Sequence, residues 1–207
     1  MFNRTIINDL KHWKEQKDRK PLMMLGARQV GKTSVLKRFG RECFEHCVYF
    51  SLDEEAGVCD IFRTTKNPTQ IIEQLSYLTD EPILPEKTLL VLDEIQDCPE
   101  AISSMKYFCE KTPEYAIACA GSLLGLAFGH EGFSFPVGKV DHINMYPVTF
   151  SEFLEQKDSG LYRYYKSIDS IEPLPQVFFD RLSQAFTAYR ISGGMPEAAM
   201  KMIEVDM

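Results

Sequence analysis

The residues with the sharpest chemical content are Gly26-Ala27-Arg28-Gln29-Val30-Gly31-Lys32-Thr33, a complete G-x-x-x-x-G-K-T string. Its spacing suits a chain that wraps a triphosphate with its own backbone N–H groups. Glycines sit where a side chain would collide with the phosphates, and a helix opening near Lys32 turns its positive end toward them. Lys32 brings a flexible point charge to the β- and γ-phosphates, and the Thr33 hydroxyl is a hard oxygen ligand suited to Mg²⁺. The expected nucleotide-contacting set is Gly26, Ala27, Arg28, Gln29, Val30, Gly31, Lys32, Thr33 and Ser34. The competing reading is a glycine turn with an incidental lysine. It is disfavoured because the string follows the apolar run Leu22–Leu25 and precedes a helical pattern. Arg28 is either a loop-tip contact or a solvated side chain, and its position does not decide between them.

The second constellation is Leu89-Leu90-Val91-Leu92-Asp93-Glu94, an apolar strand ending in two acids. Open α/β sheets bind ligands beyond the carboxyl ends of their strands, so these acids should face the same edge as the glycine string. Asp93 is suited to hold Mg²⁺ through a water, and Glu94 to polarise a water aimed at the γ-phosphate. Two acids at a strand end are by themselves often mere punctuation; a complete phosphate loop upstream favours the chemical reading. Ala116–Ala120 is followed by Gly121-Ser122. Ser122 either touches the γ-phosphate or caps a helix over Leu123–Ala127, and both readings stay open on the residues alone. Lys139 is a conceivable charge sensor, although a solvated lysine is the commoner case.

Elements of alternating type must position these groups. An amphipathic helix is expected over residues 3–17, then a strand at Leu22–Leu25 and a helix running to about Phe39, stopped by Gly40. Further strands are expected at Val48–Leu52, Thr88–Asp93, Ala116–Ala120 and Val140–Met145. Helices are expected at Pro68–Leu78, capped by Asn67, and at Ala101–Glu110. Short buried strands alternating with helices define an α/β, three-layer fold with a parallel sheet. After Pro147 only helices are expected: Thr149–Gln156, Pro175–Arg190 and one opening at Pro196. The expected division is therefore a core over residues 1–148 and a helical segment over 149–207.

Composition narrows the partners. The chain has 207 residues, 44% hydrophobic and 26% charged, which excludes a disordered, collagen-like or coiled-coil chain. Its net charge of −7 divides into +6 over residues 1–50 and −13 over the rest, so an anion site belongs in the early segment. That balance leaves only weak support for DNA binding. The six cysteines form no C-x-x-C pair, and Cys43, His46 and Cys47 lack a second ligand pair at zinc spacing, so reduced structural thiols are expected. The N-terminus has no apolar leader, and the longest uncharged stretch, Tyr115–Gly129, is too short to span a bilayer. A cytoplasmic protein without membrane contact is expected.

The strings GARQVGKT, LVLDEIQDCPE, AGSLLGLAFG, FPVGKVDHINMYPVTFSEFL and YRISGGMPEA occur in that order from about Arg4 to Glu197. Together they resemble a prokaryotic family of AAA+-related P-loop ATPases. The resemblance implies a five-stranded sheet in which Ala116–Ala120 lies between the glycine-loop strand and the Asp93 strand. It implies ATP and Mg²⁺ as cofactors, Thr33 and Asp93 as metal ligands, and Glu94, Lys32 and Ser122 as catalytic residues, with Ser122 as a sensor. It also implies a helical lid after Phe150 and a continuation into a second half, this chain being an amino-terminal portion. Gly138-Lys139 stands where many relatives carry Gly-Arg. The implied function is a molecular switch that hydrolyses ATP, coupled to a protein partner, to itself or to the missing half. The alternatives are a nucleotide-gated protein- or DNA-interaction module with little turnover, and a small-molecule kinase. The kinase is disfavoured because Arg163, Arg181 and Arg190 are the only arginines past residue 100. A GTPase is disfavoured because no N-K-x-D segment occurs. Arg163 and Arg190 are the only guesses for an arginine finger.

Overall fold

The computed structural model describes residues 2–122 and 135–205. The helix expected over Leu123–Ala127 lies outside them. Two compact units emerge: Ile6–Met145, and the stretch up to Thr5 together with the chain from Tyr146 onward.

The first unit is built on a five-stranded sheet of β1 (Leu22–Gly26), β2 (His46–Ser51), β3 (Thr88–Asp93), β4 (Ala116–Ser122) and β5 (Asp141–Met145). The order is β2-β3-β4-β1-β5 and every pairing is parallel. The strand of small residues, β4, thus lies between β3 and β1, as the family resemblance implies. Every residue of β3 and β4 is buried, which is why both read as unbroken apolar or small runs rather than alternating ones.

One face of the sheet carries α3 (Ala56–Thr64), α4 (Pro68–Ser76) and α5 (Pro99–Lys111), whose Phe62, Ile71, Leu75, Met105 and Phe108 join Leu90, Leu92, Ile117 and Cys119 in one core. The other face carries α1 (Ile6–Glu15) and α2 (Lys32–Cys43), packed together with the Trp13 and Phe39 rings 6.3 Å apart. Asn67 caps α4 by accepting from the Thr69 N–H at 3.1 Å, with Pro68 in the first turn.

Three expectations need correction. Gly40 does not stop α2, which runs to Cys43; it is a packing glycine. A Cβ there would lie 2.3 Å from Cys47 Sγ and 3.3 Å from Leu89 Cδ2, so its absence lets the helix settle on β2 and β3. The helix α3 was not expected at all. β4 does not end at Ala120: it continues through Gly121 and Ser122.

The second unit contains α6 (Phe150–Lys157), α7 (Ser159–Lys166), α8 (Gln176–Ser192) and α9 (Pro196–Val205); α7 was also unexpected. Thr149 and Glu152 form a reciprocal capping box at the start of α6. The Glu152 carboxylate also accepts from the Thr5 N–H at 2.7 Å and pairs with Arg4 at 3.2 Å. Gly194, at φ 72°, closes on Val148: a Cβ would lie 2.6 Å from the Val148 oxygen. Among the described residues no helix is long and apolar enough to cross a membrane.

Candidate nucleotide site

The glycine string leaves β1 at Gly26 and enters α2 at Lys32. Gly26 is required by the sheet itself, because a Cβ would lie 2.3 Å from the backbone oxygen of its β5 neighbour Met145. Gly31 is required by its backbone, which is left-handed at φ 95° and precedes the first helical turn. Gln29 is also left-handed at φ 62°, a conformation costing a non-glycine residue roughly 1–3 kcal/mol and concentrated at functional loops. Ala27, Arg28, Gln29 and Ser34 are exposed, whereas Val30 is buried beneath the loop. Among the described residues no side chain caps the N-terminus of α2, and no acid lies in its first turn, an arrangement in which its positive end can face an anion.

Lys32 is only 6% exposed, and its ammonium donates to the loop carbonyls of Gly26 at 3.1 Å and Ala27 at 2.8 Å. Burial lowers its pKa, against the opposing pull of Glu94 and Asp93, while Arg28 adds to the lowering. The next residue, Thr33, donates its hydroxyl to Asp93 Oδ2 at 2.5 Å. Asp93 is 3% exposed at the end of β3 and also accepts from the Tyr49 hydroxyl at 3.1 Å and the Glu94 N–H at 3.0 Å.

Glu94 follows in a left-handed conformation, φ 48°, which turns the chain out of the strand into the 3-10 turn Ile95–Asp97. Its Oε2 accepts from Gln96 Nε2 at 2.6 Å, and Gln96 Oε1 accepts from the Ser122 N–H at 3.2 Å. Ser122 pairs in register with Gly26, so the ends of β1, β3 and β4 meet at one edge of the sheet. Of the predicted site residues, Lys32, Thr33, Asp93, Glu94, Gly26 and Ser122 are therefore joined by contacts or register. Lys139 instead pairs with Glu110 at 2.9 Å. Arg163 and Arg190 lie in the second unit.

Tyr49, Lys37 and Gln96 escaped the sequence reading. Tyr49 projects from β2 on the same face as Asp93, and burial raises the pKa of its hydroxyl. Lys37, one turn beyond Thr33 on α2, places its ammonium 3.3 Å from the centre of the Tyr49 ring. No local spacing announces a contact between residues 44 positions apart. Gln96 carried a signal only as the last letter of the LDEIQ string.

A hydroxyl and a carboxylate brought to 2.5 Å form a hard-oxygen pair of the kind that suits Mg²⁺, beside a lysine and an uncapped helix N-terminus that suit phosphate. The residues present fit both groups.

Parallel sheet, glycine loop and acid-ended strand together define a P-loop NTPase of the AAA type. Residues 18–154, well over half of the chain, match the AAA domain model, and the chain belongs to that family. No curated protein matches it. Among solved structures it is similar to DnaA from Aquifex aeolicus bound to AMPPCP, at 15% identity and a TM-score of 0.50, covering 98% of this chain and 60% of that one. It is also similar to a replication initiator DnaA bound to AMPPCP and single-stranded DNA, at 15% identity and a TM-score of 0.53, covering 99% and 60%. At such identity the likeness concerns the fold alone. The chain spans about three fifths of the length of these proteins.

Proposed function

We propose that this chain binds ATP with Mg²⁺ at the β1–α2 loop and hydrolyses it, acting as a switch coupled to a protein partner or to a further domain. The observation that carries the reading is the convergence of Lys32, the Thr33–Asp93 pair and Glu94 at one edge of the sheet. The loop N–H groups and the start of α2 bind the phosphates. Lys32 exchanges its two carbonyl partners for phosphate oxygens, which removes the cost of holding an ammonium in a buried loop. Thr33 and Asp93 would hold Mg²⁺, which when bound would supply positive charge to the phosphates. Glu94 accepts a proton from the attacking water, and Ser122 contacts the terminal phosphate.

In this reading residues 1–148 are the ATPase core and 149–207 are a helical lid or the start of a carboxy-terminal region. The AMPPCP in both DnaA structures supports an adenine nucleotide as the ligand. The test is single-turnover hydrolysis by Glu94→Gln beside nucleotide affinity. The rate should fall by about 10²–10⁴-fold with affinity unchanged, as expected for loss of a general base. A rate equal to wild type would remove Glu94 from that role.

A further inference from the structure

Gln96 has no part in the mechanism above, yet its side-chain amide is fully used. Its oxygen accepts from the Ser122 N–H at 3.2 Å, and its nitrogen donates to Glu94 Oε2 at 2.6 Å and Asp97 Oδ2 at 3.0 Å. One acceptor faces a backbone donor and two donors face carboxylates, so the amide has a single orientation that satisfies all three contacts. The approach is also built from the other side. A Cβ on Gly121 would lie 3.0 Å from Gln96 Oε1 and 3.0 Å from Ile95 Cγ2, so the glycine in β4 makes room for the amide and for the Ile95 side chain beside it.

We infer that Gln96 is a positioning residue that fixes the Glu94 carboxylate by bracing it against the end of β4. Glu94 needs such a brace. It lies outside the strand, in a left-handed conformation, on a half-buried side chain that rotates about three bonds. The same amide binds the backbone of Ser122, so a displacement of the β4 end is transmitted directly to the carboxylate. A ligand that touches Ser122 thereby reports its presence to Glu94. This rests on the hydrolytic reading of Glu94 given above.

The test has a ligand-free and a kinetic readout. In ¹⁵N-labelled protein without nucleotide, the two Nε2 protons of Gln96 should resonate well apart from those of free glutamine and move toward them in Glu94→Ala. Free-glutamine positions in the wild type would overturn the inference. In single-turnover hydrolysis, Gln96→Glu keeps the volume and the Ser122 contact but replaces the donor facing Glu94 with an acceptor. It should lower the rate at least ~10-fold with nucleotide affinity unchanged, since small misplacements of a catalytic group are that costly. Gly121→Ala, whose methyl would press on the amide and on Ile95, should act in the same direction. Either change should have no further effect in Glu94→Ala. Wild-type rates for Gln96→Glu while Glu94→Gln is inactive would overturn the positioning role alone. A Glu94→Gln chain as fast as wild type would overturn the hydrolytic reading and this inference with it.

Discussion

Gly40→Ala sets two magnitudes against each other. Alanine in a helix interior is favoured over glycine by about 1 kcal/mol, so an isolated α2 would gain. In the folded unit the new Cβ would lie 2.3 Å from Cys47 Sγ and 2.8 Å from Cys47 Cβ. Carbon atoms in contact sit about 3.5–4.0 Å apart, so helix and strand would have to separate by roughly 1 Å. Overpacking of this kind typically costs about 1–3 kcal/mol, and rotating the Cys47 Sγ away would leave the contact with its Cβ stem. The expected net loss is about 0–2 kcal/mol, or a Tm lower by up to about 8 °C for a chain of this size. Denaturant and thermal unfolding measure it. Adding Cys47→Ala removes the Sγ but leaves the Cβ, so the double variant should recover part of the loss, a coupling of about 0.5 kcal/mol or more. Stabilisation by Gly40→Ala, or a loss that adds independently to that of Cys47→Ala, would refute the packing argument.

Two further outcomes are expected. Tyr49→Phe deletes one of the two hydroxyls on Asp93 Oδ2 and should cost about 1 kcal/mol in urea unfolding while leaving the fold intact. The Glu152 carboxyl is pushed up by burial, but the N–H groups of Thr149 and Thr5, with Arg4 beside it, hold it below the ordinary 4.5. A carboxyl lowered on folding stabilises fully above its ordinary value and loses that contribution as pH falls through 4.5 toward the folded value. Glu152→Gln should therefore cost about 3 kcal/mol at neutral pH, and the gap from wild type should close on acidification. A gap that stays constant with pH would contradict this.

The elements that carry the candidate site were legible wherever the signal is local. Thr88–Asp93 is a strand with the expected limits because the continuous apolar run Leu89–Leu92 ends in the acids Asp93 and Glu94. Asn67-Pro68 announces its helix by cap chemistry. Gly40 misled because glycine marks helix ends more often than close packing, and only the position of Cys47 on β2 shows which applies. The same limit hid the second reason for Gly26, which lies in the Met145 backbone far along the chain. Tyr49 and Gln96 act through partners 44 and 26 residues away, brought near by strand order. The place of β4 between β3 and β1 followed from the family resemblance, while side-chain contacts across the sheet had no sequence signal.

Calorimetric titration of ATP, with Mg²⁺ present, into the wild-type chain and into Lys32→Ala tests the central claim most directly. The account predicts one saturable site in the wild type and an affinity at least ~10-fold weaker in the variant, the cost of removing a charged contact to phosphate. Equal affinity in the two proteins, or no binding to the wild type, would contradict it.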